Sequence, residues 1–121
     1  MKKIVVIDDS QTIRQQVATA LRQAGFEILE AVDGVDGAEV IDRTPDAALV
    51  ICDVNMPKRN GLELLEGLRR EDGRSPPPVL MLTTEGRPEL IERARKAGAK
   101  GWLVKPFKSD LLLAAVRKLT S

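Results

Sequence analysis

The 121-residue chain contains no histidine. That excludes a His-based catalytic triad, an imidazole metal site and a phosphohistidine carrier. A single cysteine, Cys52, rules out an internal disulfide or a cysteine cluster and fits a reducing compartment. Tyrosine is absent, and two phenylalanines and one tryptophan make up all the aromatics, too few for base-stacking platforms. An excess of one charge sign is missing too. Nineteen Lys+Arg face 18 Asp+Glu, a net charge of +1, so bulk attraction to nucleic acid is not expected. No apolar run approaches the ~20 residues that span a bilayer. Ile4 to Ile7 meets Asp8-Asp9 before a signal-peptide core could form. These absences leave the expectation of a soluble, cytoplasmic, single-domain protein with no membrane insertion.

What is present is a regular alternation. Ile4-Val5-Val6-Ile7 is a β-branched run that predicts a buried strand. Ile13, Val17, Ala20, Leu21 and Ala24 then recur at helical spacing, stopped by Gly25. Phe26 and Ile28 mark a shorter strand nearer an edge. Ala38 and Ile41 mark a second helix after Asp33-Gly34, ending near Thr44-Pro45. Ala47 to Cys52 is a third, continuous strand. Asn60-Gly61-Leu62-Glu63 carries a capping signature, with Leu62, Leu65 and Leu68 as the stripe of the third helix. Gly73 to Pro78 is a turn-rich, stiff connection. Val79 to Leu82 is the fourth strand; Leu90, Ile91 and Ala94 mark the fourth helix, stopped by Gly98. Trp102-Leu103-Val104 is the fifth strand, and Leu111, Leu112, Ala115, Val116 and Leu119 form the last stripe. Strand-helix five times over, with continuous apolar strands, predicts an α/β fold: a parallel sheet with helices on both faces.

In such open sheets, ligands bind beyond the carboxyl ends of the strands. Asp8 and Asp9 follow the first strand, Asp53 the third, Thr83 the fourth and Lys105 the fifth. Clustered carboxylates repel, and a hard divalent cation relieves the repulsion. An all-oxygen set without His or Cys favours Mg²⁺. A carboxylate beside Mg²⁺ can act as a nucleophile and form an acyl phosphate. The equatorial phosphoryl oxygens would then be shared between Mg²⁺, Lys105, and the Thr83 hydroxyl with a backbone N–H.

The stretches Val6-Ile7-Asp8-Asp9-Ser10, Cys52-Asp53-Val54-Asn55-Met56-Pro57, Leu82-Thr83-Thr84 and Gly101-Trp102-Leu103-Val104-Lys105-Pro106-Phe107 occur in order at the predicted strand ends. In this the chain resembles the receiver domains of bacterial two-component systems, of the single-domain, CheY-like chemotaxis type, over essentially its whole length. The resemblance implies a doubly wound, flavodoxin-like (βα)5 fold with five parallel strands in the order 2-1-3-4-5. It implies one receiver domain over residues 1–121, with no output domain. Asp53 then matches the phosphoacceptor. Asp8 and Asp9 match the acidic pair, with Asp9 the more direct metal ligand, and the backbone carbonyl of Asn55 completes the Mg²⁺ set with Asp53. Thr83 matches the switch hydroxyl and Lys105 its partner lysine, followed by a cis bond to Pro106. Trp102 stands at the switch aromatic position, where the family more often has Tyr or Phe. Asn55 and Glu85 occupy positions that tune phosphoryl lifetime, and their amide and carboxylate imply rapid self-dephosphorylation.

The implied function is a non-enzymatic signalling switch. A sensor histidine kinase phosphorylates Asp53, and the modified domain changes its binding to a target, such as a flagellar motor or other motility component. The alternative is a phosphate sink or relay intermediate with no target of its own. A phosphatase forming an aspartyl phosphate would need an acid two residues after the nucleophile, where Asn55 stands. A dinucleotide fingerprint is absent, and Asp8-Asp9-Ser10 is electrostatically wrong for phosphate without a metal. Cys52 reads as inert core. The fourth helix carries Arg87, Arg93, Arg95 and Lys96. A solvated face is the default reading; a partner-docking face is the sharper one, and capture of a phosphate-bearing small ligand such as a cyclic dinucleotide the rarer.

Overall fold

The computed structural model describes residues 1–68 and 75–121. Five strands and five helices alternate: β1 (Lys3–Ile7), α1 (Gln11–Gln23), β2 (Glu27–Ala31), α2 (Gly34–Asp42), β3 (Ala47–Cys52), α3 (Gly61–Glu66), β4 (Val79–Thr83), α4 (Pro88–Lys96), β5 (Gly101–Val104) and α5 (Ser109–Thr120). The strands form one parallel sheet in the order β2-β1-β3-β4-β5. The sequence-based fold is therefore the observed one, and β2 does lie at an edge, although at five residues it is as long as β1 and β4 and longer than β5.

Strand alternation divides the core in two. Ile4, Val6, Leu49, Ile51, Leu80 and Leu82 point to one face and pack with Val17, Ala18 and Leu21 of α1 and Leu112 and Val116 of α5. Val5, Ile7, Val50, Cys52, Val79 and Met81 point to the other and pack with residues of α2, α3 and α4. Both faces of β1, β3 and β4 are thus covered, which is why these strands read as unbroken apolar runs. The edge strand β5 is only half-buried, and Val104 is exposed.

Local chemistry sets the helix ends. Ser10 and Asp33 cap α1 and α2, accepting from the N–H of Ile13 and Asp36. Asn60 and Glu63 form a full capping box on α3. Asn60→Ala is expected to cost about 1 kcal/mol in urea unfolding; an unchanged midpoint would show that tertiary packing alone holds α3. Gly25 and Gly98, both with positive φ, end α1 and α4 as their positions predict.

Two readings need adjustment. Leu68 is not part of the third helix. Gly67 caps α3, its N–H reaching the carbonyls of Glu63, Leu64 and Leu65, and Leu68 packs on the core from the segment beyond. Phe26 precedes β2, its N–H bonded to the Leu21 carbonyl. The connection assigned to Gly73–Pro78 lies partly outside the described residues; Ser75 to Pro78 run irregularly into β4. Among the described residues no helix is long and apolar enough to cross a membrane.

Candidate functional site

The parallel ladders bring distant acids together. Ile7 pairs with Cys52 across β1 and β3. One step further, the N–H of Asp53 donates to the Ile7 carbonyl at 3.1 Å. Asp8, immediately after Ile7, and Asp53, immediately after Cys52, therefore emerge side by side. On the other flank Thr83 pairs with Val104, and the N–H of Lys105 donates to the Thr83 carbonyl at 2.8 Å.

Asp8 and Asp53 are buried and Asp9 is exposed, yet carboxylate oxygens from all three lie within 4.8 Å of one another. Lys105 Nζ reaches across the cluster, 2.7 Å from Asp8 Oδ2 and 3.1 Å from Asp53 Oδ2. Burial pushes the Asp8 carboxyl above the usual carboxylate range, against the pull of Lys105 and the Ser10 N–H. Burial also opposes the charge on Lys105. Its hydrogen bonds to the two carboxylates outweigh that penalty and hold the ammonium above the ordinary lysine range.

One ammonium facing three carboxylates leaves the cluster net negative. The oxygens converge, and the exposed Asp9 leaves a side open to water. This donor set suits a small hard cation that keeps part of its hydration shell, and Mg²⁺ fits that description. The acidic cluster could therefore hold a metal through Asp8, Asp9 and Asp53.

Around this centre the remaining groups form a connected rim. The Asn55 N–H faces Asp53 Oδ1 at 3.3 Å. Asn55 Nδ2 donates to Glu85 Oε1 at 3.3 Å. The Glu85 N–H donates to the hydroxyl of Thr83, which is fully buried. The Trp102 indole N–H donates to the Glu85 carbonyl at 2.9 Å. The donor is the indole N–H; Phe has no donor, and the only donor of Tyr is a hydroxyl at the ring tip. The Lys105-Pro106 peptide is cis, as the resemblance implies.

Cys52 is buried and its thiol is pushed far up by burial, so it belongs to the core. The basic residues of α4 are exposed, and its arginines are engaged with acids. Arg93 pairs with Glu66, Arg95 with Glu92, and Arg87 with Glu85. The paired arginines match the solvated-face reading better than an anion-binding one.

Reading by residue type missed two contributors. Gly61, taken only as part of a helix start, packs so close to β3 that a Cβ would overlap the Asp53 backbone carbonyl. Nothing short-range in the sequence signals that approach. Arg87, grouped with the basic face, instead turns toward the rim. Its one sequence signal is an arginine standing at a helix start directly before Pro88.

A family model described as response regulator receiver domain matches residues 4–117. The chain is 39% identical over 111 residues to the chemotaxis protein CheY1 of Helicobacter pylori, covering 91% of this chain and 90% of that one. It is 38% identical over 111 residues to a chemotaxis protein CheY homologue of Campylobacter jejuni, covering 91% and 85%. Among solved structures, Vibrio cholerae chemotaxis protein CheY4 superposes with a TM-score of 0.90 at 38% identity, over 98% of each chain.

Proposed function

Because the chain belongs to the response regulator receiver domain family, we propose that it is a phosphorylation-dependent switch in chemotaxis or motility signalling, with Asp53 as phosphoacceptor. The observation that carries this is the Lys105 ammonium spanning Asp8 and Asp53 beside Asp9. That arrangement suits a buried carboxylate nucleophile with an adjacent cation site and a lysine ready for a second anion. The chemotaxis assignment draws on the Helicobacter and Campylobacter relatives, both called chemotaxis proteins.

In this reading a carboxylate oxygen of Asp53 attacks the phosphorus of a kinase phosphohistidine. The P–N bond breaks, and its electron pair returns to the imidazole, which takes up a proton. Asp8, Asp9 and Asp53 with the Asn55 carbonyl would hold Mg²⁺, which would supply positive charge to offset that of the cluster and the incoming phosphoryl group. Lys105 shifts from the carboxylates to a phosphoryl oxygen. Thr83 exchanges its bond with the Glu85 N–H for another phosphoryl oxygen. Because Trp102 is bonded to the same residue's carbonyl, movement of Glu85 carries outward to α4 and β5, and target affinity changes with it. The protein acts in the cytoplasm as a non-enzymatic receiver domain spanning residues 1–121, with protein partners rather than nucleic acid.

The test uses the lone tryptophan. Titration with Mg²⁺ and then beryllofluoride, an acyl-phosphate mimic, is expected to change Trp102 fluorescence in two saturable steps. The second step disappears in Asp53→Ala. Absence of the mimic response, together with no phosphate on Asp53 from a small-molecule donor, would overturn the reading. A protein partner captured only in the mimic-bound state supports a switch with its own target; phosphorylation without any gained partner would favour a phosphate sink.

A further inference from the structure

We propose that Arg87 is a positioning residue for hydrolysis of the phosphoryl group on Asp53, acting through Glu85 on the side-chain amide of Asn55. This rests on the reading of Asp53 as phosphoacceptor.

The two oxygens of the Glu85 carboxylate are divided between two donors. Oε1 accepts from Asn55 Nδ2 at 3.3 Å, and Oε2 accepts from Arg87 Nε at 3.2 Å. Asn55 is anchored at its other end, its backbone N–H facing Asp53 Oδ1. A side-chain amide offers an NH₂ donor end and a carbonyl acceptor end. With Nδ2 committed to Glu85, the carbonyl end is the one turned to accept a hydrogen bond from a water beside Asp53. A water so held turns a lone pair toward phosphorus. Its oxygen bonds to phosphorus as the bond from phosphorus to the Asp53 oxygen breaks. The carboxylate leaves with that electron pair, and both water protons go out on the inorganic phosphate product. Glu85 chooses which end of the amide faces the water, and Arg87 holds Glu85 in the rotamer that makes the choice.

A second observation singles out Arg87. It is the N-cap residue of α4, extended at φ −67° and ψ 130°, and its side chain makes no cap hydrogen bond. A cation there opposes the positive end of the helix dipole, and Ser, Thr, Asp or Asn would cap better. Helix stability therefore gives no reason for arginine at this position. The bond to Glu85 does.

This separates stability from rate. Arg87→Asn is expected to keep or raise the urea midpoint, because asparagine caps α4. Mg²⁺ and beryllofluoride affinities are expected to stay unchanged. The full chain is phosphorylated with acetyl phosphate in Mg²⁺, freed of donor, and followed for first-order loss of phosphate. Arg87→Asn is expected to slow that loss about fivefold, the scale of one lost orienting hydrogen bond. In a Glu85→Ala background, itself slowed, Arg87→Asn is expected to change nothing further. A wild-type or faster rate in Arg87→Asn, or the same slowing with Glu85 absent, would overturn the proposal. A wild-type chain that takes up no more phosphate than Asp53→Ala would instead remove the phosphoacceptor reading beneath it.

Discussion

Gly61→Ala is expected to lower the unfolding free energy by about 2–4 kcal/mol, among the larger effects of a single methyl. The methyl carbon would overlap the Asp53 carbonyl oxygen, with the carbonyl carbon at 2.8 Å and Cys52 Sγ at 3.1 Å. The obstruction is backbone, so no rotamer change relieves it. Nor can the backbone retreat, because β3 is bonded to β1 on one side and β4 on the other. The Gly61 N–H is also tied to the Val54 carbonyl at 2.9 Å. What gives is the position of α3 and of the loop that leads into it from Asp53, so the response of Trp102 to beryllofluoride should weaken along with stability. Gly86→Ala is the control: a Cβ there meets nothing within 4 Å, so its midpoint should hold or rise slightly. Urea unfolding of the two variants decides the matter. A Gly61→Ala protein as stable as wild type would show that the loop after β3 has room to move.

Asp9→Ala is expected to change the sign of its effect with metal. Without metal, Asp8 and Asp53 share the Lys105 ammonium, and burial and the charge of Asp53 hold the Asp8 carboxyl above its usual range. Asp9 adds a third carboxylate to the cluster, with no cation of its own there among the described residues. Removing the exposed Asp9 relieves repulsion and should stabilise the metal-free protein by about 1 kcal/mol, the solvent-screened part of the Coulomb interaction. With Mg²⁺ the order reverses. At a concentration near 100 times the dissociation constant, a bound cation stabilises the wild type by about 2.7 kcal/mol. Asp9→Ala loses one of the converging oxygens and most of that gain. Thermal or urea unfolding of both proteins in chelator and in Mg²⁺ gives all the terms. A variant that keeps the full Mg²⁺ shift would remove Asp9 from the metal site; one destabilised in chelator would contradict the crowding of charge.

Much of the architecture was legible because burial on both faces leaves a direct trace in residue type. Val5 and Val6 point to opposite sides of the sheet and are both apolar because helices cover both sides. Strand ends were legible for the converse reason: Asp8, Asp53 and Lys105 break apolar runs, and a charge at a buried strand end needs a purpose. Where an apolar residue merely continued a periodic stripe, as Leu68 does, periodicity overran the helix. A leucine packs on the core equally well from the segment after a Gly67 cap.

The sequence by itself determined the alternation of elements, the parallel sheet, and the set of strand-end groups, because these follow from composition and spacing along the chain. Only the tertiary structure decided which groups meet. Lys105 lies 97 positions from Asp8 and 52 from Asp53, and strand order and register set the distances between them. The same holds for the approach of Gly61 to the Asp53 backbone, too close to admit a methyl, and for the chain from Arg87 through Glu85 to Asn55. Contacts of a few ångströms between residues on different loops depend on how whole elements pack, and that information is carried by no short stretch of sequence.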